Sequence, residues 1–219
     1  MSYGHRRVPR GRFPKQVIAR AHFNSEWAMK MHIYIFRHGE TNFNRSKRFT
    51  GRVNSNLASE GIEQANLIAE KLRKKAFQIA FKTSLSRSSN SLKIVLRCHP
   101  ECKRVIVDDR MIERCYGDLE RKYHKTVIKK YGKRQFDIWH RSYDVPPPGG
   151  ESMKMVEKRV LFFIKDLLSL MEKEKTNVVI SAHNNSMRPF RKYFENLTLK
   201  QMMALENPYD KYFDYTIEC

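Results

Sequence analysis

At 219 residues, with 41% hydrophobic and 30% charged residues, the chain fits one full-sized globular core. It holds no apolar stretch near the roughly 20 residues that span a bilayer, and residues 1–30 lack the apolar run of a secretory signal. The formal net charge of +20, from 43 Lys+Arg against 23 Asp+Glu, favours anionic partners. Lys and Arg spread along the whole chain without the aromatic interleaving of RNA-binding modules. Nucleic acid, an acidic membrane surface and small polyanionic substrates all fit that positive excess, which does not choose among them, and a homo-oligomer stays open.

Residues 1–29 combine Gly, Pro and Arg with little periodicity and read as a basic flexible tail, with an organelle transit peptide as the alternative. A domain over 30–219 follows. Its first strand is His32-Ile33-Tyr34-Ile35-Phe36, an apolar run rich in β-branched and aromatic residues. Ser59 is placed to cap a helix to about Lys74, with Ile62, Ala65, Leu67, Ile68, Ala69 and Leu72 at helical spacing. Gln78 to Thr83 reads as a strand, Arg87 to Leu96 as a helix and Arg104 to Asp108 as a third strand. Met111 to Leu119 is irregular, and two polar helices follow near Lys125–Tyr131 and Gln135–His140.

Pro146-Pro147-Pro148-Gly149-Gly150 then breaks the chain. Ser152 opens an amphipathic helix to about Glu172. Asn177 to Ala182 is a strand, Asn185 to Phe194 and Leu199 to Leu205 are helical, and Tyr212 to Ile217 closes as a strand. Alternating strands and helices imply an α/β fold of three layers, α/β/α, around a mainly parallel sheet. Cys98, Cys102, Cys115 and Cys219 show neither framework nor metal spacing, so reduced thiols in the cytoplasm are expected.

Several strand ends carry chemistry. Arg37-His38-Gly39-Glu40 follows the first strand, where open α/β sheets place their ligand crevice. Imidazole is a nucleophile near neutral pH, and arginine holds phosphate oxygens in a planar fork. His183 ends the strand Val178–Ala182, Arg87 follows another strand, and Glu113 lies just after a third. Each alone could be a surface polar group. Two histidines, arginines and a carboxylate at one sheet edge make a phosphate-handling constellation.

These residues resemble the histidine phosphatase superfamily, and within it the 2,3-bisphosphoglycerate-dependent phosphoglycerate mutases. The resemblance spans roughly Met31 to Ile217. Its carriers are Arg37-His38-Gly39-Glu40, Phe49-Thr50-Gly51, Leu57-Ala58-Ser59-Glu60-Gly61, the segment Glu113 to Leu119, Trp139 to Pro148, and His183-Asn184-Asn185-Ser186-Met187-Arg188. It implies that His38 carries a phosphoryl group primed by 2,3-bisphosphoglycerate, with no metal. Arg37, Arg87 and His183 would surround the migrating group, and Glu113 would exchange a proton with the substrate hydroxyl. Thr41, Asn44, Thr50 and Gly51 would position the phosphate. Tyr116, His124, Lys125, His140, Arg141, Asn184 and Asn185 would bind the rest of the substrate.

The chain departs from the mutase pattern at several points. His124 stands where a lysine is usual, His140 where one of two arginines is, Glu120-Arg121 where Gln-Gly is, and Asn184 where a glycine is. Asparagine tolerates positive φ better than other non-glycine residues, so the backbone is expected to survive at Asn184 while its side chain crowds or contacts the phosphate. The connection from Pro148 to Glu151 is short and the chain ends after its last strand, which leads us to expect a phosphoenzyme that loses phosphate to water readily. Interconversion of 2- and 3-phosphoglycerate leads, with a phosphomonoesterase of the same superfamily acting on small phosphorylated metabolites as the alternative; the resemblance implies no specific nucleic acid and no membrane as partners.

Overall fold

The computed structural model describes residues 29–218. The basic tail expected over residues 1–29 thus lies outside the described residues except for Met29, as does Cys219. Five strands form one sheet: β1 (Lys30–Arg37), β2 (Ile79–Lys82), β3 (Arg104–Val107), β4 (Val178–Ala182) and β5 (Tyr212–Glu218). Their order is β3-β2-β4-β1-β5. All neighbours are parallel except β5, which pairs antiparallel with β1 along Lys30↔Glu218 to Phe36↔Tyr212.

Strand alternation divides the core in two. Ile33, Ile35, Ile79, Phe81, Val178 and Ile180 point to one face and meet α5 (Met153–Glu174) and α6 (Asn184–Glu195) through Val160, Phe163, Ile164, Leu167 and Phe190. Tyr34, Phe36, Ala80 and Val179 point to the other and meet α2 (Ser59–Leu72) and α3 (Ser86–Leu96) through Ile68, Leu72, Leu92 and Val95. Each fully buried Ile, Leu or Phe contributes about 1.5–3 kcal/mol, so both helical layers are bound to the sheet by packing. The expected three-layer α/β/α arrangement is present.

The expected elements all occur, with local differences. Ala58, not Ser59, is the N-cap of α2 and gives it no side-chain cap. A four-residue helix, α1 (Asn42–Arg45), is too short to show as periodicity; Thr41 and Asn44 hold it with a capping box. Gly117–Leu119 forms a 3-10 turn inside the stretch expected to be irregular, and Asp109–Met111 forms another that runs into its start. The two polar helices join as α4 (His124–Arg141), broken at Gly132, whose φ is +81°. α7 (Leu199–Ala204) precedes β5. Among the described residues no helix is long and apolar enough to cross a membrane, and Cys98, Cys102 and Cys115 are free thiols.

Candidate active site

β1 and β4 are adjacent and parallel, with Arg37 opposite Ala182. The ladder continues one residue further, where the His38 amide donates to Ala182 O at 3.1 Å. His38 and His183 therefore leave the sheet side by side, with ring centroids 4.9 Å apart. Both are buried, at 2% and 0% exposure. The turn after His38 closes on the start of α2: a Cβ on Gly39 would lie 2.0 Å from Gly61 O, and one on Gly61 would lie 2.0 Å from Glu40 O. Only a glycine pair permits this approach.

The His38 ring is oriented from both ends. Nδ1 lies 2.7 Å from Gly39 O, and because a carbonyl only accepts, Nδ1 must carry the proton. Nε2 keeps its lone pair, toward which Arg87 Nε points at 3.2 Å. Burial, then the charges of Arg87 and Arg37, hold the imidazole well below its usual pKa. It is a neutral nucleophile at physiological pH.

Arg87 is itself 1% exposed. Its Nη1 donates to Val53 O at 2.8 Å and its Nη2 to Gly51 O at 2.7 Å, so the loop after β1 fixes the fork. Burial pushes its pKa down to about 10, which leaves it charged at neutral pH. His183 Nε2 lies 2.8 Å from Thr83 Oγ1, and burial, then Arg87, lower its pKa as well. Glu113 Oε1 accepts from the amides of Arg114, at 2.8 Å, and Asn185, at 3.2 Å. Both bonds fall on one oxygen, and Oε2 is left for a ligand.

Above these groups lies a cavity of about 130 Å³, lined by Arg37, Asn44, Arg48, Phe49, Thr50, Gly51, Glu113, Tyr116, His124, His140, Asn184 and Asn185. Three buried polar atoms of its lining have no protein partner: Arg37 Nε, Arg48 Nε and Thr50 Oγ1. Orphaned buried donors are costly unless a ligand satisfies them. Ligand atoms of His38, Glu113 and His183 lie within 4.8 Å of one another, a spacing a metal could also use. Guanidinium groups of Arg37 and Arg87 flank that trio, however, and their charge suits a tetrahedral oxyanion instead.

The far end of the cavity is aromatic. Phe49, Tyr116 and Phe136 share a small core with Leu119 and Val127. His124 and His140 face one another across it at 5.3 Å, each within 5.6 Å of Phe49. Burial foremost, helped by Arg141, lowers the pKa of His140 to about 3. Burial, with Lys47 and Arg141, lowers that of His124 too. Both are neutral at pH 7, so this end lacks the fixed charges that Lys and Arg would supply.

Most expected site residues thus gather at one place, with four corrections. Lys125 is exposed and reaches the Tyr123 ring at 5.7 Å instead of lining the cavity. Arg141, also exposed, acts on the site only through its charge. Thr41 is buried but its hydroxyl is spent on Asn44 Oδ1 at 2.8 Å, so it shapes the loop. Asn184 opens α6 without the positive φ considered for it; it lines the cavity, and its Oδ1 accepts from Asn207 Nδ2 at 3.0 Å.

Sequence reasoning missed Arg48, Asn207 and Tyr209. Arg48 stands beside Phe49 with its guanidinium 4.1 Å above the Tyr123 ring. Asn207 O and Tyr209 Oη accept from Arg37 Nη1 and Nη2 at 3.0 and 2.8 Å. Nothing in the loop before β5 marked these two, because only the fold brings that loop over His38.

Comparison with known proteins agrees with this geometry. The model of the histidine phosphatase superfamily (branch 1) matches residues 33–212. The 2,3-bisphosphoglycerate-dependent phosphoglycerate mutase of Parvibaculum lavamentivorans is 36% identical over 177 residues, covering 79% of this chain and 84% of that protein. The phosphoglycerate mutase of Schizosaccharomyces pombe is 36% identical over 179 residues, covering 80% and 84%. Among solved structures, mycobacterial glucosyl-3-phosphoglycerate phosphatase superposes with a TM-score of 0.73 at 21% identity, covering 85% of this chain and 90% of that one. Phosphoglycerate mutase from Bacillus anthracis gives 0.71 at 19% identity, covering 88% and 92%. The chain belongs to the histidine phosphatase superfamily.

Proposed function

We propose that the protein is a phosphoglycerate mutase that interconverts 2- and 3-phosphoglycerate through phosphorylated His38. The observation that carries this reading is the His38 Nε2 lone pair, held beside Arg87 Nε under a cavity with three unpartnered buried donors. The relatives named as mutases support it. The same unpartnered donors fit 2,3-bisphosphoglycerate, which would supply the priming phosphoryl group.

His38 Nε2 attacks the phosphorus of a phosphomonoester as the ester P–O bond breaks, and Glu113 protonates the departing oxygen. Arg37, Arg87 and His183 neutralise charge on the equatorial oxygens as it spreads in the transition state. Reversal onto another hydroxyl of the bound glycerate, with Glu113 now taking the proton, regenerates the free imidazole. Thr50, Asn44 and Arg48 hold the phosphate, while Tyr116, Asn185, His124 and His140 meet the rest of the substrate.

A coupled assay for 2-phosphoglycerate, run with and without 2,3-bisphosphoglycerate and alongside free phosphate release, tests the reading. Priming should stimulate isomerisation, and His38→Ala should abolish it; isomerisation by the alanine variant would refute it. The second reading is a phosphomonoesterase in which water takes the phosphoryl group. The neutral His124–His140 pair favours it, because neither ring offers a charge to a second anionic group. Phosphate release exceeding isomerisation, unchanged by priming, would establish it.

A further inference from the structure

The segment from Leu205 to Asp210, between α7 and β5, crosses the end of β1 and is tied on both sides. From α6, Arg188 Nε donates to Leu205 O at 3.0 Å and Arg191 Nη1 to Asn207 Oδ1 at 3.1 Å. Asn184 closes a further set of bonds, accepting from Asn207 N at 3.3 Å and Nδ2 at 3.0 Å. From α2, Lys71 Nζ donates to Asp210 O at 2.6 Å. Asn207 is 1% exposed, although it lies in a loop.

What this strap holds is Arg37. Nη1 goes to Asn207 O and Nη2 to Tyr209 Oη, while the Tyr209 ring lies under the guanidinium, 3.8 Å from Cζ to the ring centroid. A planar guanidinium pinned at both terminal nitrogens and over its face cannot rotate. Each terminal nitrogen keeps a second N–H, and Nε is buried and unpaired. The Tyr209 ring also stands 6.4 Å from the His38 ring, on the side of the final strand.

We propose that Tyr209 is a positioning residue of the phosphoryl site: it orients Arg37 toward a tetrahedral oxyanion and shields His38 from water. The two roles sit on different parts of one side chain. The hydroxyl fixes the guanidinium; the ring fills space beside the imidazole. A phosphohistidine is lost to water in proportion to access, so the ring sets how the phosphoryl group divides between water and a bound hydroxyl. The shielding role rests on the phosphohistidine reading above; the Arg37 role does not, since any tetrahedral oxyanion tests it.

The experiment compares the full chain with Tyr209→Phe and Tyr209→Ala by two readouts. The first is the affinity for orthovanadate, measured by calorimetry. It should fall about five-fold in the Phe variant, which loses one hydrogen bond to a charged group, and further in the Ala variant, which also loses the ring beneath Arg37. The second is the lifetime of labelled phosphohistidine in buffer. It should shorten about ten-fold in the Ala variant and be restored to within two-fold by Phe, a rescue that a general loss of structure would not give.

Wild-type orthovanadate affinity in the Phe variant overturns the positioning role, and this variant keeps the fold even should the Ala variant not. An unchanged lifetime in the Ala variant, or an equal loss in both, overturns the shielding role. Should His38 take no label in the wild type, the phosphohistidine reading and the shielding role with it are overturned, while orthovanadate affinity still decides the positioning role.

Discussion

Replacing His140 by phenylalanine should make the protein more resistant to acid. His140 is half-buried among Phe49, Tyr116, His124 and Phe136, and its pKa is lowered from 6.5 to about 3. The unfolded chain therefore binds a proton at this position that the folded one refuses. That contribution to stability is fully present above pH 6.5 and is lost as pH falls toward 3. At pH 5 the loss is about 1.5 pH units at 1.36 kcal/mol each, or about 2 kcal/mol.

Phenylalanine fits the same ring cluster and cannot titrate. Urea unfolding at pH 8 and pH 5 measures the effect, and comparing the two pH values cancels any change in packing. With a urea slope of about 2 kcal/mol per molar, the variant's midpoint should gain about 1 M on wild type between pH 8 and pH 5. Midpoints that move in parallel would show that His140 is not held neutral, and the account of the distal end would fail.

Arg87→Lys keeps a charge but cannot serve Gly51 O, Val53 O and His38 Nε2 together, so phosphoryl transfer should fall about 100-fold or more in a steady-state assay. Gly61→Ala puts a Cβ 2.0 Å from Glu40 O; it should cost about 1–3 kcal/mol and lower the melting temperature by several degrees in calorimetry. Glu151→Ala strips the partner from Arg159 and from the Cys115 amide, at 3.1 and 2.9 Å, and should cost about 3 kcal/mol in urea unfolding. An Arg87→Lys enzyme as fast as wild type would refute the assignment of its fork.

Much of this arrangement was legible because it depends on local pattern. The alternation of Ile33, Tyr34, Ile35 and Phe36 fixes two buried faces, and a strand buried on both sides needs helices over both faces of its sheet. Strand ends then name the crevice, so His38, Arg87, Glu113 and His183 follow from order along the chain. Contacts between distant segments were not legible. Asn207 and Tyr209 reach Arg37 across 170 and 172 positions, and no periodicity encodes that. Lys125 was misplaced because helix phase decides which side chain turns inward: His124, one residue earlier, faces Phe49 at 4.5 Å. The effect of Asn184 could not be read either, because its partner is a loop residue that only the fold supplies.

The parallel pairing of β1 with β4 has a mechanical consequence. Both imidazoles are mounted on neighbouring rungs of the most deeply buried part of the protein, so thermal motion moves them together. Whatever closes over a ligand must be carried by the peripheral segments: the loop bearing Thr50, the helical excursion bearing His124 and His140, and the crossing piece bearing Tyr209. Selectivity can thus be redesigned at the excursion bearing His124 and His140 without detuning the pair at the centre, whereas the other two segments reach that pair through Arg87 and Arg37.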